Sequence, residues 1–115
     1  MKLKLPIIID ENGDISVYSS REEAQVNLEP VDVLNNEYLA YDADGHLLQL
    51  VVIKKKGILF SREMVEINYP DISVDHADEL VEKLKNYLEK TGNIVNEGSE
   101  LNLSQLVTKV EKYLA

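Results

Sequence analysis

The sequence predicts an α+β fold: an antiparallel sheet of about five strands, with one short N-terminal helix and two C-terminal helices packed on it. Three observations carry this expectation. Through the first 69 residues apolar and polar positions alternate in short runs, separated by turn chemistry at 11–14, Asn35-Asn36 and Asp44-Gly45. After residue 73 the apolar spacing changes to three and four, the period of a helix with one buried face. Strands therefore precede the longer helices instead of alternating with them, which places helices on an antiparallel sheet.

Taken in order, residues 3–9 are rich in β-formers, and Pro6 suits the start of a strand or a sheet edge. Glu11-Asn12-Gly13-Asp14 makes a turn, and residues 15–18 return as the second half of a hairpin. Ser20 and Glu23 have the spacing of a capping box, so a helix starts at Arg21 with Ala24 and Leu28 on one face. Pro30 is expected to end that helix and open a strand, with a short extra strand at 31–33, because the residue before a proline avoids the helical region. Asn35-Asn36 and Asp44-Gly45 then supply the positive φ angles of tight hairpin turns around strands at 37–42 and 47–53.

The run 47–53 is apolar on both faces, which suits a strand covered on two sides or paired with another chain. Lys54-Lys55-Lys56-Gly57 reads as a charged turn, and 58–69 as the next strand, with Val65, Ile67 and Tyr69 on its buried face. Val74, Ala77, Leu80, Val81, Leu84, Tyr87 and Leu88 define an amphipathic helix, with Asp75, Asp78 and Glu79 near its start, Lys90 near its end and Gly92 just beyond it. Residues 93–100 read as a loop, and Leu103, Leu106, Val107, Val110 and Tyr113 as the stripe of a last helix.

No repeat or linker divides the chain, so residues 1–115 are expected to form a single domain around one core. The absence of cysteine excludes disulfides, thiolate metal sites and cysteine nucleophiles together, and it fits a reducing compartment. The opening residues lack the long apolar region of a secretion signal, and the longest apolar run, 50–53, is far too short to cross a bilayer. A cytoplasmic protein without a membrane partner is the expectation.

Net charge is −9, and it is unevenly placed. Residues 1–47 hold 3 basic and 10 acidic side chains, 48–70 hold 4 and 2, and 71–115 hold 5 and 9. An acidic chain opposes phosphate-backbone binding, so no nucleic-acid partner is expected, whereas a basic protein is favoured. Lys54, Lys55, Lys56 and Arg62 form the one basic cluster; with Phe60 as the lone phenylalanine it lacks a stacking platform and reads as a guard against strand-edge aggregation.

Candidate chemistry is sparse. Asp10 to Asp14 begins like a calcium loop, but an EF-hand needs glycine sixth and glutamate twelfth, where Ile15 and Arg21 stand. Asp42, Asp44 and His46 alternate as metal donors would, yet a hairpin turn accounts for the same residues. No Gly-x-Ser-x-Gly elbow accompanies His46 or His76, and the five glycines are isolated, so no catalytic residue, metal or cofactor is assigned.

The pattern Leu28-Glu29-Pro30-Val31-Asp32-Val33, Asn36-Glu37-Tyr38, Tyr41-Asp42 and Gly45 resembles short bacterial proteins of uncharacterised function. Some of these resemble immunity proteins of polymorphic toxin systems. The resemblance implies a cytoplasmic interaction protein and brings no catalytic motif. The leading expectation is a non-enzymatic protein that masks a basic partner through Asp32, Glu37, Asp42 and Asp44. The alternative is a small enzyme or ligand-binding domain with a carboxylate-lined pocket between sheet and helices. Because 47–53 is apolar on both faces, a homodimer covering the spare face is also expected.

Overall fold

The computed structural model describes residues 3–69, 75–93 and 101–115. Its strands are β1 (Ile7–Glu11), β2 (Asp14–Tyr18), β3 (Tyr38–Tyr41), β4 (Leu47–Lys56) and β5 (Ser61–Asn68). Its helices are α1 (Arg21–Asn27), α2 (Pro30–Leu34), α3 (Ala77–Lys90) and α4 (Leu103–Leu114). The strands form one antiparallel sheet in the order β2-β1-β3-β4-β5. This is the α+β architecture expected from the sequence, with one helix more.

Each face of the sheet carries its own core. Ile8, Ile15 and Tyr41 point to one side, where Leu80, Leu84 and Leu88 of α3 and Leu106, Val107 and Val110 of α4 meet them. Ile7, Ile9, Ala40, Leu48, Val65 and Ile67 point to the other, under Ala24 of α1 and Leu28, the residue that caps its C-terminus. The alternation along β1 follows from the pleat: Ile7 and Ile9 go one way and Ile8 the other, and all three are buried. The pairs Ala24/Leu28 and Leu80/Leu84/Leu88 are the helical stripes read from sequence.

The local signals are realised as follows. Asn12 and Gly13 both have positive φ, 52° and 95°, so the first hairpin closes in two residues, with Glu11 opposite Asp14. The Ser20 hydroxyl accepts the Glu23 N–H and caps α1, while the Glu23 carboxylate takes the Ser19 hydroxyl instead of reaching back to Ser20. Asn102 and Gln105 make a complete capping box at α4. The expectations for Val74 and for the loop after Asn93 fall outside the described residues.

Three expectations are corrected. Pro30 does not open a strand, and 31–33 is not one; Pro30 is the first residue of α2. Glu29 is extended, as the proline demands (φ −87°, ψ 125°), but a proline fixed near −65° suits a first helical turn equally well. Asn35-Asn36 likewise ends a helix instead of joining two strands. Asn36 enters the left-handed region (φ 56°), its N–H reaches the Val33 carbonyl, and the Glu37 N–H reaches the Asp32 carbonyl, a Schellman closure. Finally, the lysine triplet is not a turn. β4 runs through Lys56, with Lys54 opposite Glu63, Lys55 opposite Arg62 and Lys56 opposite Ser61, and the turn falls at 57–60.

These corrections reshape the sheet. β4 pairs with β3 only through Leu47 and Leu48 but with β5 over eight residues, so the outer part of β4–β5 is a two-stranded arm. α2 packs on β4 and β5 and α1 on β5, so the spare face that called for a homodimer is partly covered from within. Val51 and Ile53 are half-buried and belong to neither core. Among the described residues no helix is long and apolar enough to cross a membrane.

Candidate functional site

The Schellman closure of α2 builds a cluster of three carboxylates at the surface, the one such cluster among the described residues. Ending α2 at Asn36 returns Glu37 to Asp32, and the register Glu11↔Tyr38 sets Glu11 beside the start of β3. Oxygens of Glu11, Asp32 and Glu37 lie within 4.8 Å of one another, all half-buried. The Tyr38 hydroxyl donates to Asp32 Oδ2 at 3.3 Å and accepts the Glu29 N–H at 3.4 Å, fixing Asp32 against the strand. Sharing a hydrogen bond with Asp32, facing its charge, losing some solvent and standing near Glu11 all raise the Glu37 carboxyl above its ordinary pKa. Among the described residues the Lys83–Asp10 ion pair and the histidine–carboxylate contacts His46–Asp42 and His76–Glu79 lie elsewhere. Chemically the cluster is an oxygen-rich cation acceptor, open to an ammonium or guanidinium group or to a hard divalent ion.

Of the four acids expected to form a docking face, Asp32 and Glu37 come together and Asp44 does not join them. Asp44 is exposed on the β3–β4 turn, at the far end of β3 from Glu37. Asp42 requires a correction: it is fully buried and faces no partner. Its Oδ1 accepts the N–H groups of Asp44 and His46, both at 3.0 Å. Its Oδ2 takes the Tyr69 hydroxyl at 2.8 Å, lies 3.2 Å from His46 Nδ1, and receives a long contact from the Lys4 N–H. Burial alone would raise its pKa, but the His46 N–H, the Tyr69 hydroxyl and the His46 ring together hold it below the usual carboxylate range. Burial and that same carboxylate push Tyr69 up to about 12.

Asp42 is thus the knot of the β3–β4 turn. The Asp44 and His46 N–H groups that the tight Asp-Gly turn leaves pointing inward are both answered by its carboxylate, while the Gly45 N–H goes to its backbone carbonyl. Glu11, by contrast, carries no mark of the site in the sequence. Its place beside Glu37 depends on which strand pairs with β1, and no local pattern announces that pairing.

Comparison with protein-family models, with curated proteins and with solved structures returns no match. The geometry therefore carries the functional argument alone. A cavity of about 670 Å³ is an open groove whose walls include Leu3, Leu5, Arg21 and Tyr69, with Glu22 as its one described carboxylate. Between sheet and α3 a smaller cavity of about 140 Å³ holds Asp10 and Lys83. There Asp10 is committed twice, to the Lys83 ammonium and to the Gly13 N–H of its own turn. Neither cavity gathers the several convergent acids that a carboxylate-lined pocket would need.

Proposed function

We propose that this chain is a non-enzymatic protein-binding protein that docks a basic partner on the face built by Glu11, Asp32 and Glu37. One observation carries the reading: three carboxylates converge at the surface, and no cation of the described residues is ion-paired with them. Holding acids this close is unfavourable to their ionised forms, and the hydrogen bond shared with Asp32 together with the repulsion raises Glu37. An incoming lysine or arginine relieves that repulsion and gains a charge-assisted hydrogen bond.

The surroundings support a protein as the source of that cation. Val31 and Leu34, three apart on α2 and flanking Asp32, are 59% and 63% exposed, and Leu39 beyond Glu37 is 42% exposed. Apolar anchors beside a charged cluster are the composition of a docking patch. The narrower reading, an immunity-type protein masking a basic toxin surface, rests on the sequence resemblance and on this charge.

The test is parallel capture from the native host with wild type and with the double variant Asp32→Asn/Glu37→Gln, followed by affinity measurement on the purified partner. A basic partner bound at least tenfold more weakly by the double variant is expected. Equal affinity for both proteins would remove the acidic face from the account.

A further inference from the structure

The β4–β5 arm ends in an arrangement that the acidic face does not explain. Ile58, Leu59 and Phe60 occupy the turn, closed by the Gly57 N–H on the Phe60 carbonyl, and are 103%, 89% and 72% exposed. Three consecutive large apolar side chains in water are unfavourable and mark a contact surface. Just behind them stand Lys54, Lys55, Lys56 and Arg62, all exposed, with Glu63 the single acid.

Register distributes these cations over both faces of the ribbon. Lys55 and Arg62 are directly opposite and share one face, where like charges repel. Lys54, opposite Glu63, and Lys56, opposite Ser61, share the other. A partner docking on one face would use half of this collar. A plane meeting the arm end-on uses all of it, with the apolar tip passing beyond the charges. From these observations we propose that the arm is an anchor for an anionic lipid surface: Ile58, Leu59 and Phe60 enter the boundary between headgroups and acyl chains, while the lysines and Arg62 lie among the lipid phosphates.

The acidic body does not forbid this contact. The core reaches along the ribbon to Val65, opposite Val52, and from Val52 to Lys56 the free arm extends four residues, about 14 Å at strand rise. α2 packs near Leu48 and Leu50, at the base of the arm. Body and tip are thus more than one Debye length, about 8 Å, apart at physiological salt, where exposed charges are largely screened from one another.

The chain contains no tryptophan, so Leu59→Trp gives a single reporter at the tip. The full chain is mixed with vesicles of phosphatidylcholine alone, or of phosphatidylcholine with phosphatidylglycerol. A blue shift of tryptophan emission, and co-sedimentation, with the anionic vesicles only is expected. Lys55→Gln/Lys56→Gln should weaken that binding about 25-fold, roughly fivefold per lysine. Leu59→Ser/Phe60→Ser should weaken it about tenfold or more. Because those side chains are already exposed, its melting temperature should stay where it was. Equal binding to neutral vesicles, or none to either, overturns the proposal. So does binding to duplex DNA that depends on the lysines but not on Leu59 and Phe60, or a dimer that Leu59→Ser/Phe60→Ser dissociates.

Discussion

At the scale of single residues, Asp42 and Glu37 are opposites, one carboxylate held for the fold and one strained at its surface. Asp42→Ala leaves the Tyr69 hydroxyl, the His46 ring and two backbone N–H groups without their acceptor, and should cost about 3 kcal/mol or more of stability in urea unfolding. Asp42 has a depressed pKa in the folded state. Its contribution is therefore present above its unfolded value near 3.8 and is lost as pH falls through the lower folded value. The urea midpoint of wild type should fall over that acidic window, and Asp42→Asn should flatten the fall. Glu37 works the other way. Its raised pKa favours folding below the ordinary value of 4.5 and opposes it as pH rises through the folded value. Glu37→Gln should raise the melting temperature at neutral pH, and the gain should vanish below about pH 4. The sequence showed that Asp42, Asp44 and His46 belong to a turn, because Asp-Gly is a local signal. It did not show which carboxylate points inward, because the hydroxyl that completes the site comes from Tyr69, 27 residues away.

At the scale of elements, local chemistry was legible wherever one reading of it exists. The first hairpin, the Ser20 cap and the apolar stripes of α3 and α4 follow from spacing and turn residues alone. α2 was not legible, since Glu29-Pro30 is compatible with a strand start and with a helical first turn. Five residues are also too few to display a helical period. The lysine triplet was misplaced for a related reason: charge suggested a turn, while exposure on both faces of a two-stranded ribbon lets lysines remain in a strand. Gly45 shows what tertiary packing adds to a local signal. Its φ of 87° explains the glycine in the turn, yet a methyl group there would also stand 2.5 Å from Ala77 Cα at the start of α3. The turn is bound to that helix by the His76 N–H on the Gly45 carbonyl, at 2.9 Å, and by the His46↔Asp75 bridge. Gly45→Ala should therefore cost about 3 kcal/mol, more than a positive φ alone, in thermal or chemical denaturation. A loss of about 1 kcal/mol would mean that the turn and α3 move apart easily.

At the scale of the whole molecule, charge and shape divide the protein into an acidic body and a basic, apolar-tipped arm, within extents of 58 × 29 × 22 Å. The uneven charge was visible in sequence as −7 over residues 1–47 against +2 over 48–70. What the sequence could not display is that Asp32 and Glu37 meet Glu11 at one point, or that the lysines ring a projecting tip. The first follows from strand pairing between distant segments, the second from a hairpin that runs on past its pairing with β3. A docking face of this kind acts first on encounter, since clustered charge steers a basic partner before contact, whereas apolar contacts act on release. The most direct measurement is the association rate with the captured partner as a function of ionic strength, for wild type and for Asp32→Asn/Glu37→Gln. The rate is expected to fall steeply with salt for wild type and distinctly less for the double variant, the two converging at high salt. Parallel salt dependences for the two proteins would contradict it, because the partner would then be steered by charges other than these.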